Sequence, residues 1–318
     1  MTGAGRSGTT WQTLERRAGL LRDIRAYFAA AGVLEVDTPL LRTTCASDPH
    51  IPETPVLGQG QSAYLQSSPE ALLKALLAEF GRPVYQLGHV YRAAEVGRRH
   101  QPEFTMLEWY RPGWSMQALM DEVGTILRLA APAHSAPIGS TDWSHCFEAA
   151  TGIAASSGSD ALRRRASALG HSTALLDRLD EGGLRDLLFS HCVQPTLGRS
   201  GPEFVTGFLA GDAAFARLDP NRPGHALRFE LYWQGVELAN GGEELTDAQT
   251  WLDRADRDNM QRAACGASRI PRDDDWLWAL QRGLPACSGV ALGVDRLLML
   301  ATEATSIQSV VPFAWRQT

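Results

Sequence analysis

The 318-residue sequence lacks the features of a secreted or membrane-spanning protein. Its N-terminal stretch has no apolar core typical of a signal peptide, and no apolar run is long enough to span a bilayer. Its five cysteines are an odd number and no two are spaced as CxxC, which disfavours a disulfide framework or a structural zinc site. We therefore expect a cytoplasmic protein in a reducing compartment.

An excess of positive charge is also missing. The formal net charge is -6, which disfavours a large tRNA or DNA footprint, although a local basic patch is compatible with an acidic total. Apolar residues make up 44% of the chain and charged residues 21%, as in an ordinary globular protein. The length allows a sizeable core in one large domain or two smaller ones.

The order of patterned segments predicts an α+β fold. Residues 1–13 are predicted to be a flexible tail, and residues 14–318 are predicted to form one domain with an insertion or subdomain at about 131–225. A helix is expected between Pro69 and Gly81, a hairpin with its loop at residues 92–103, and a second hairpin turning at Gln234–Gly235. Hairpins mixed with flanking helices favour an antiparallel sheet over βαβ alternation.

The first hairpin loop combines cations with an aromatic ring. Arg92 ends one strand, Arg98, Arg99 and His100 follow in the loop, and Phe104 begins the return strand. Guanidinium groups suit phosphate oxygens and a ring can stack on a base, which favours a nucleoside triphosphate. A solvated basic loop is the alternative, and taken alone this segment favours it.

Two later segments carry weaker signals of the same kind. Gly289 and Gly293 in a predicted strand allow a ligand to approach the backbone, with Arg296 following, but a glycine-bearing core strand is equally compatible. Glu237 and Glu244 flank a predicted glycine turn at residues 240–242 and could hold Mg²⁺. Alternatively, Glu244 belongs to the first turn of a helix.

The segment "SSPE" has two interpretations. Ser67 and Glu70 match a capping box, in which Glu70 only closes the start of a helix. In the functional interpretation, Glu70 faces a pocket and binds an ammonium group. Taken alone, the spacing favours the capping box.

Together these segments resemble the class II aminoacyl-tRNA synthetases over about residues 14–313. "RDIRAYFAAAGVLEVDTP" is similar to motif 1, "YRAAEVGRRHQPEFTMLEWY" to motif 2 and "GVALGVDRLLML" to motif 3. "HQPEFTMLEWY" and "ELANG" with "ELTDA" are similar to the lysyl-specific members. The resemblance implies an antiparallel sheet flanked by helices, and a homodimer formed through motif 1.

A narrower resemblance concerns the acceptor. The segment before motif 1 is too short for the anticodon-binding barrel of lysyl-tRNA synthetases, which disfavours tRNA as the acceptor. "GRRHQPEFTMLEWYRP" and "CSGVALGVDR" resemble the elongation factor P–lysine ligases. That resemblance implies that ATP and Mg²⁺ activate (R)-β-lysine or lysine as an adenylate, which is transferred to a lysine ε-amine of elongation factor P.

The resemblance also implies roles for individual residues. Arg92 would stabilise the α-phosphate during carboxylate attack, Phe104 would stack on adenine, and Arg296 would lie near the base and γ-phosphate. The other implied ATP-binding residues are Ala94, Glu95, His100, Gln101, Glu237, Leu238 and Gly293. The implied amino-acid pocket comprises Ser68, Pro69, Glu70, Tyr110, Glu244 and Ala291, and the implied Mg²⁺ ligands are Glu237 and Glu244.

Two positions depart from the lysyl-type pattern. Motif 2 usually begins Arg-Asn-Glu, whereas this chain has Arg92 followed by two alanines, Ala93 and Ala94, so we assign the role of the glutamate to Glu95. Ala291 replaces a glycine that is usual in motif 3, and this change favours a β-amino acid.

Two other functions are compatible with these motifs. One is a truncated lysyl-tRNA synthetase-like enzyme, which a tRNA-charging assay separates from a protein ligase. The other is a non-catalytic regulatory module, which the altered start of motif 2 favours. Retention of the phosphate arginines and of both candidate metal carboxylates opposes the regulatory alternative.

Overall fold

A computed structural model describes residues 7–46, 48, 51–57, 63–93, 96–264 and 266–315. The chain divides into two compact units. The first comprises Met1–Ala133 and Glu244–Thr318, and the second comprises His134–Glu243. The second unit contains most of the segment predicted as an insertion, at about 131–225, and also the later hairpin.

The first unit starts with a helix, a set of short strands and a long hairpin. Its elements before the second unit are α1 (Trp11–Ala30), β1 (Leu34–Glu35), β2 (Leu41–Arg42), β3 (Thr54–Pro55), β4 (Tyr64–Leu65), α2 (Glu70–Phe80), β5 (Val84–Tyr91), β6 (Glu103–Pro112) and α3 (Met116–Ala130). β2 and β3 each pair antiparallel with β4.

Helix α1 begins within the predicted tail of residues 1–13. Its N-cap is Thr10, whose side chain accepts a hydrogen bond from the Thr13 backbone amide. Leu20, Ile24 and Phe28 repeat at intervals of four and form its buried face. The Phe28 ring stacks on a core ring of β5, that of Tyr85, at a centroid distance of 4.4 Å.

The second unit combines short helices with four strands. Its elements are β7 (Gly139–Asp142), α4 (Trp143–Thr151), α5 (Ser159–Ala168), α6 (Thr173–Leu176), α7 (Glu181–Leu188), β8 (Glu203–Thr206), β9 (Arg228–Trp233) and β10 (Val236–Glu243). β7 and β8 are parallel, whereas β8–β9 and β9–β10 are antiparallel. Its core is centred on Trp143, which stacks on Phe147 and Phe189.

The second predicted hairpin is confirmed, but the glycine turn after it is wrong. Gln234 and Gly235 connect β9 and β10, both with positive φ, as a tight hairpin turn requires. Residues 240–242 continue β10 as regular strand. At Gly242 a Cβ atom would lie 2.3 Å from the Leu227 carbonyl oxygen, so this glycine permits close packing of two strands.

The chain then returns to the first unit. Its last elements are α8 (Ala248–Ala264), α9 (Asp274–Arg282), β11 (Cys287–Gly293) and α10 (Val294–Ala301). β11 pairs antiparallel with β6, β6 pairs antiparallel with β5, and β1 is parallel to β5. Both units therefore have the mainly antiparallel strands and flanking helices that the sequence predicts. Among the described residues, no helix combines the length and the hydropathy that a membrane span requires.

Candidate active site

The β5–β6 hairpin positions the predicted nucleotide residues. The two strands pair from Val84 to Tyr91, and the loop closes where the Arg92 amide donates to the Pro102 carbonyl at 2.9 Å. The Arg92 guanidinium lies over the Phe104 ring, 5.4 Å from its centroid. The structure therefore brings these two candidates together, with a cation against one face of the ring.

The outer part of the same loop is solvent-exposed. Arg98, Arg99 and His100 all have exposed side chains, as the solvated-loop alternative expects. Arg98 nevertheless contacts the C-terminal segment, because its Nη2 donates to the Thr305 carbonyl at 3.2 Å. Ala94 and Glu95 lie outside the described residues, so the role assigned to Glu95 stays a prediction.

Gln101 is the buried member of this loop. Its Oε1 accepts a hydrogen bond from the Trp315 amide at 2.7 Å, and its Nε2 donates to the His100 carbonyl. The C-terminal segment therefore fixes the orientation of the Gln101 amide. Sequence reasoning missed Trp315, because only the fold brings position 315 to position 101.

A second missed residue, Arg17, connects the two nucleotide segments. Its guanidinium donates to Asp295 Oδ1 at 2.5 Å and to Thr105 Oγ1 at 2.6 Å. The Thr105 amide donates to Asp295 Oδ2 at 2.9 Å, which completes the cycle. Thr105 follows Phe104 and Asp295 precedes Arg296, so this cycle fixes the backbone next to both candidates.

Strand β11 lies beside β6 with its glycines and Ala291 in register. Gly289 pairs with Tyr110, Ala291 with Glu108 and Gly293 with Met106. A Cβ atom at Gly289 would lie 2.2 Å from Tyr110 Cε1 and 2.6 Å from Glu244 Oε1. Close packing therefore requires a glycine at position 289. At Gly293 a Cβ atom would have more space, since the nearest atom, Arg296 Cδ, would lie 3.7 Å away.

An acidic pocket lies at the other end of β6. Tyr110 donates to Glu108 Oε1 and Ser68 donates to Glu108 Oε2, both at 2.7 Å. Lys74 donates to Glu70 Oε1 and to Glu244 Oε2, both at 2.6 Å. The structure thus places three carboxylates and one ammonium among the predicted amino-acid residues. Sequence reasoning missed Glu108 and Lys74.

The capping-box interpretation of "SSPE" is wrong. The N-cap position of α2 is Pro69, and it is Ser68 Oγ, rather than Ser67, that accepts from the Glu70 amide. The Glu70 carboxylate accepts from Lys74, one helical turn along. Glu244 is likewise not a first-turn residue, because it follows β10 directly and α8 begins only at Ala248.

Burial changes the titration of this pocket. It raises the pKa of Glu108 to about 8, and the negative charge of Glu70 adds to the rise. It also raises the pKa of Glu244 to about 7, while the Lys74 ammonium opposes the increase. Burial alone would lower the pKa of Lys74, but Glu244 and Glu70 outweigh it and raise that pKa. Lys74 is therefore a protonated cation at neutral pH.

Glu237 and Leu238 lie in the second unit, on β10. The strand has a bulge between Glu237 and Ala239, and the Leu238 side chain is buried. The charge of Glu237 contributes to a raised pKa of Glu230, to about 7, although burial is the larger cause and Arg228 opposes it. Glu237, itself half-buried, thus acts electrostatically on a buried carboxyl group of its own unit, that of Glu230.

The described parts of the chain contain no group of three or more His, Cys, Asp or Glu side chains placed to bind a metal. Mg²⁺ at a phosphate site commonly uses one or two carboxylates, the phosphates and water, and so does not need such a group. The assignment of Glu237 and Glu244 to Mg²⁺ stays a prediction.

These elements define a class of protein. The β5–β6 hairpin, the β11 strand with its following helix and the acidic pocket match the arrangement expected for amino-acid activation. A family model described as tRNA synthetases class II (D, K and N) matches residues 4–317. The chain belongs to this family, and it is a ligase with a class II synthetase core.

Curated relatives narrow the comparison. Proteins named elongation factor P--(R)-beta-lysine ligase from Salmonella paratyphi B (strain ATCC BAA-1250 / SPB7) and Salmonella schwarzengrund (strain CVM19633) are each 42% identical over 317 residues. The protein of that name from Salmonella agona (strain SL483) has the same identity. In each case the alignment covers 96% of this chain and 97% of the relative.

Proposed function

We propose that the protein uses ATP to activate (R)-β-lysine, or lysine, and transfers the aminoacyl group to a lysine ε-amine of elongation factor P. Membership of the class II family implies the use of ATP. The named activity of relatives that match over 96% of the chain supports the amino acid and the acceptor. A homodimer in the cytoplasm remains part of this proposal.

The observation that carries the proposal is the order of residues along β6. Phe104, Glu108 and Tyr110 are separated by even intervals, so they lie on one face of the strand. Phe104 lies with Arg92 at one end, and Glu108 and Tyr110 lie in the acidic pocket at the other. At about 3.4 Å per residue, the span suits an adenylate whose base and ammonium groups lie at opposite ends.

In the first step the substrate carboxylate attacks the α-phosphorus of ATP. A carboxyl O–P bond forms, and the bond between the α-phosphorus and the bridging oxygen breaks to release pyrophosphate. Arg92 stabilises the negative charge that develops on the α-phosphoryl oxygens, because its guanidinium is fixed against the Phe104 ring. The acidic pocket holds the ammonium groups and thereby orients the carboxylate toward the phosphate.

In the second step the neutral ε-amine of the acceptor lysine attacks the acyl carbon. An amide bond forms, AMP leaves, and the amine loses a proton. Tyr110 and Ser68 fix the Glu108 carboxyl, so the aminoacyl group keeps its position between the two steps. Ser68, Pro69, Glu70, Tyr110, Glu244 and Ala291 are the proposed amino-acid residues.

Bound Mg²⁺ supplies positive charge to the phosphates. A carboxylate oxygen is the ligand type that this ion prefers, and Glu237 would provide one. Glu244 fits this role less well, because its Oε2 accepts from the Lys74 ammonium at 2.6 Å. We therefore assign Glu237 to the metal and Glu244 to the substrate amines. The other proposed nucleotide residues are Ala94, Glu95, His100, Gln101, Leu238, Gly293 and Arg296.

ATP–pyrophosphate exchange with purified protein tests the activation step. Exchange is expected with (R)-β-lysine, and more weakly with L-lysine. The complete reaction should add one lysyl group to elongation factor P, as measured by intact mass spectrometry, and should leave tRNA uncharged. Absence of exchange with both amino acids would contradict the proposal, and charging of tRNA would favour a synthetase activity in its place.

A further inference from the structure

Lys74 lies between two acidic residues that come from distant parts of the chain. Its side chain is completely buried, and its Nζ lies 2.6 Å from an oxygen of Glu70 and 2.6 Å from an oxygen of Glu244. The Trp276 ring on α9 lies against the ammonium, with its centroid 4.3 Å from Nζ. Lys74 therefore contacts the proposed amine ligands, and no side of it is left for solvent.

The composition of the chain makes this lysine exceptional. Lys74 is the only lysine in the sequence, so the other 29 of the 30 basic residues are arginines. An arginine has a wide planar head and suits bidentate pairing, whereas an ammonium is a compact point charge. The small buried space between the two carboxylates and the Trp276 indole ring therefore suits the compact ammonium of a lysine.

The charges of the pocket can be counted from its titratable groups. Around the Lys74 ammonium lie Glu70, Glu108, Tyr110, Glu244 and Cys287. Burial raises the pKa values of the tyrosine and the thiol, which are neutral at physiological pH. When ionised, the three carboxylates less one ammonium leave two negative charges, which equals the number of ammonium groups in a diamino acid.

We infer that Lys74 is a positioning residue that makes the pocket selective for a diamino acid. It fixes Glu70 and Glu244 at one separation, and it reduces the charge of the pocket to the value that two ammonium groups neutralise. This inference rests on the proposed function. Without Lys74, the two carboxylates face each other as like charges in a buried site, which disfavours their ionised forms and their fixed positions.

The first test is the variant Lys74→Met, which keeps the length of the side chain but removes the charge. In ATP–pyrophosphate exchange, the KM for the diamino acid should rise by about tenfold or more, since the two buried ion pairs that fix Glu70 and Glu244 are lost. The KM for ATP should stay unchanged, because the ion pairs of Lys74 are with the proposed amine ligands Glu70 and Glu244. The variant Lys74→Arg keeps the charge and should recover part of the loss.

A charge-balanced double variant separates charge from packing. Lys74→Met combined with Glu70→Gln removes both members of one ion pair. The two remaining carboxylates, when ionised, again give the pocket two negative charges, so folding is less at risk than in Lys74→Met. Its KM for the diamino acid should be lower than that of Lys74→Met alone. In a double-mutant cycle, the effects of Lys74→Met and Glu70→Gln on the KM for the diamino acid should not be additive. Additive effects of the two substitutions would contradict the inference.

Two further outcomes would overturn the inference. A lower KM for the diamino acid in Lys74→Met would mean that Lys74 competes with the substrate for the carboxylates. Equal increases in the KM for ATP and for the amino acid would mean a general structural role. Both outcomes are compared with wild-type protein, which should catalyse ATP–pyrophosphate exchange with a diamino acid. Wild-type protein that activates only a monoamino acid would contradict the proposed function itself.

Discussion

At the scale of single residues, Glu108 links the acidic pocket to pH. Its pKa of about 8 means that it is largely protonated at neutral pH, mainly because of burial and then because of Glu70. A bound ammonium group favours the ionised form and lowers this pKa, so binding of a diamino acid should release protons. Affinity should therefore increase as the pH rises from about 6 to 8.

Calorimetry in two buffers of different ionisation enthalpy measures this release. The number of protons released per ligand should be larger at pH 7 than at pH 9, because Glu108 and Glu244 are already ionised at the higher pH. In the Glu108→Gln variant, most of this difference in proton release between pH 7 and pH 9 should disappear. A release that does not depend on pH would mean that other groups titrate on binding.

Gly289 and Gly293 offer a matched pair of residue-scale variants on one strand. In Gly289→Ala the new methyl group meets Tyr110 and Glu244 at 2.2 and 2.6 Å, so the pocket must shift at a cost of about 1–3 kcal/mol. The KM for the amino acid should rise and the melting temperature should fall. In Gly293→Ala the methyl group has room, so stability should be kept while the KM for ATP rises. Identical effects of both variants would contradict the separation of the two subsites.

The residue scale also shows where sequence reasoning stops. Glu70, Tyr110 and Glu244 were predicted as pocket residues from the resemblance to the class II synthetases, and the structure places them together. Lys74 was missed because a lysine within an amphipathic helix is typical of a solvated face. Its burial depends on Glu244, 170 positions away, and no local pattern contains that information.

At the scale of secondary-structure elements, Arg17 ties α1 to the starts of β6 and α10. Its side chain is 13% exposed and that of Asp295 is 2% exposed, so removal of the cation leaves a buried carboxylate unpaired. Arg17→Met should cost about 3–5 kcal/mol in stability. It should also raise the KM for ATP, because Phe104 and Arg296 lie next to its partners, and should leave the KM for the amino acid unchanged.

Arg111 provides the control for this element-scale prediction. It forms an ion pair with Glu122 that is equally buried, on the opposite face of β6 from Phe104. Arg111→Met should destabilise the protein to a similar extent, as measured by chemical denaturation, without changing the KM for ATP of the folded enzyme. If both variants change the KM for ATP alike, Arg17 acts only through stability.

The elements themselves were largely predictable, but their ends and connections were not. Periodicity and glycine placement were enough to predict α2 between Pro69 and Gly81 and the hairpin at Gln234–Gly235. The glycines at 241 and 242 were misread as a turn, because a glycine needed for close strand packing looks the same in sequence as one needed for positive φ. The contact between Gln101 and Trp315 depends on tertiary structure alone.

At the scale of the whole molecule, the three motifs were sufficient for the fold class. Their order along the chain, rather than any one of them, made the class II resemblance specific, and the family match over residues 4–317 confirms it. The second unit, His134–Glu243, carries no motif before its final strands, so no role for it was predictable from the sequence. Its core is built from common apolar residues that many folds share.

The scarcity of lysine has a chemical consequence for an enzyme that makes an aminoacyl adenylate. An adenylate that escapes reacts with exposed primary amines, and the only side-chain amine of this chain is buried and held as an unreactive cation. Turnover with ATP and lysine should therefore leave its side chains unmodified in intact mass spectra. Arg22→Lys, at a position 76% exposed, should acquire acyl adducts, whereas adducts on the wild-type Lys74 would contradict its burial. The one side-chain amine of the chain is thus protected from the adenylate that the enzyme makes.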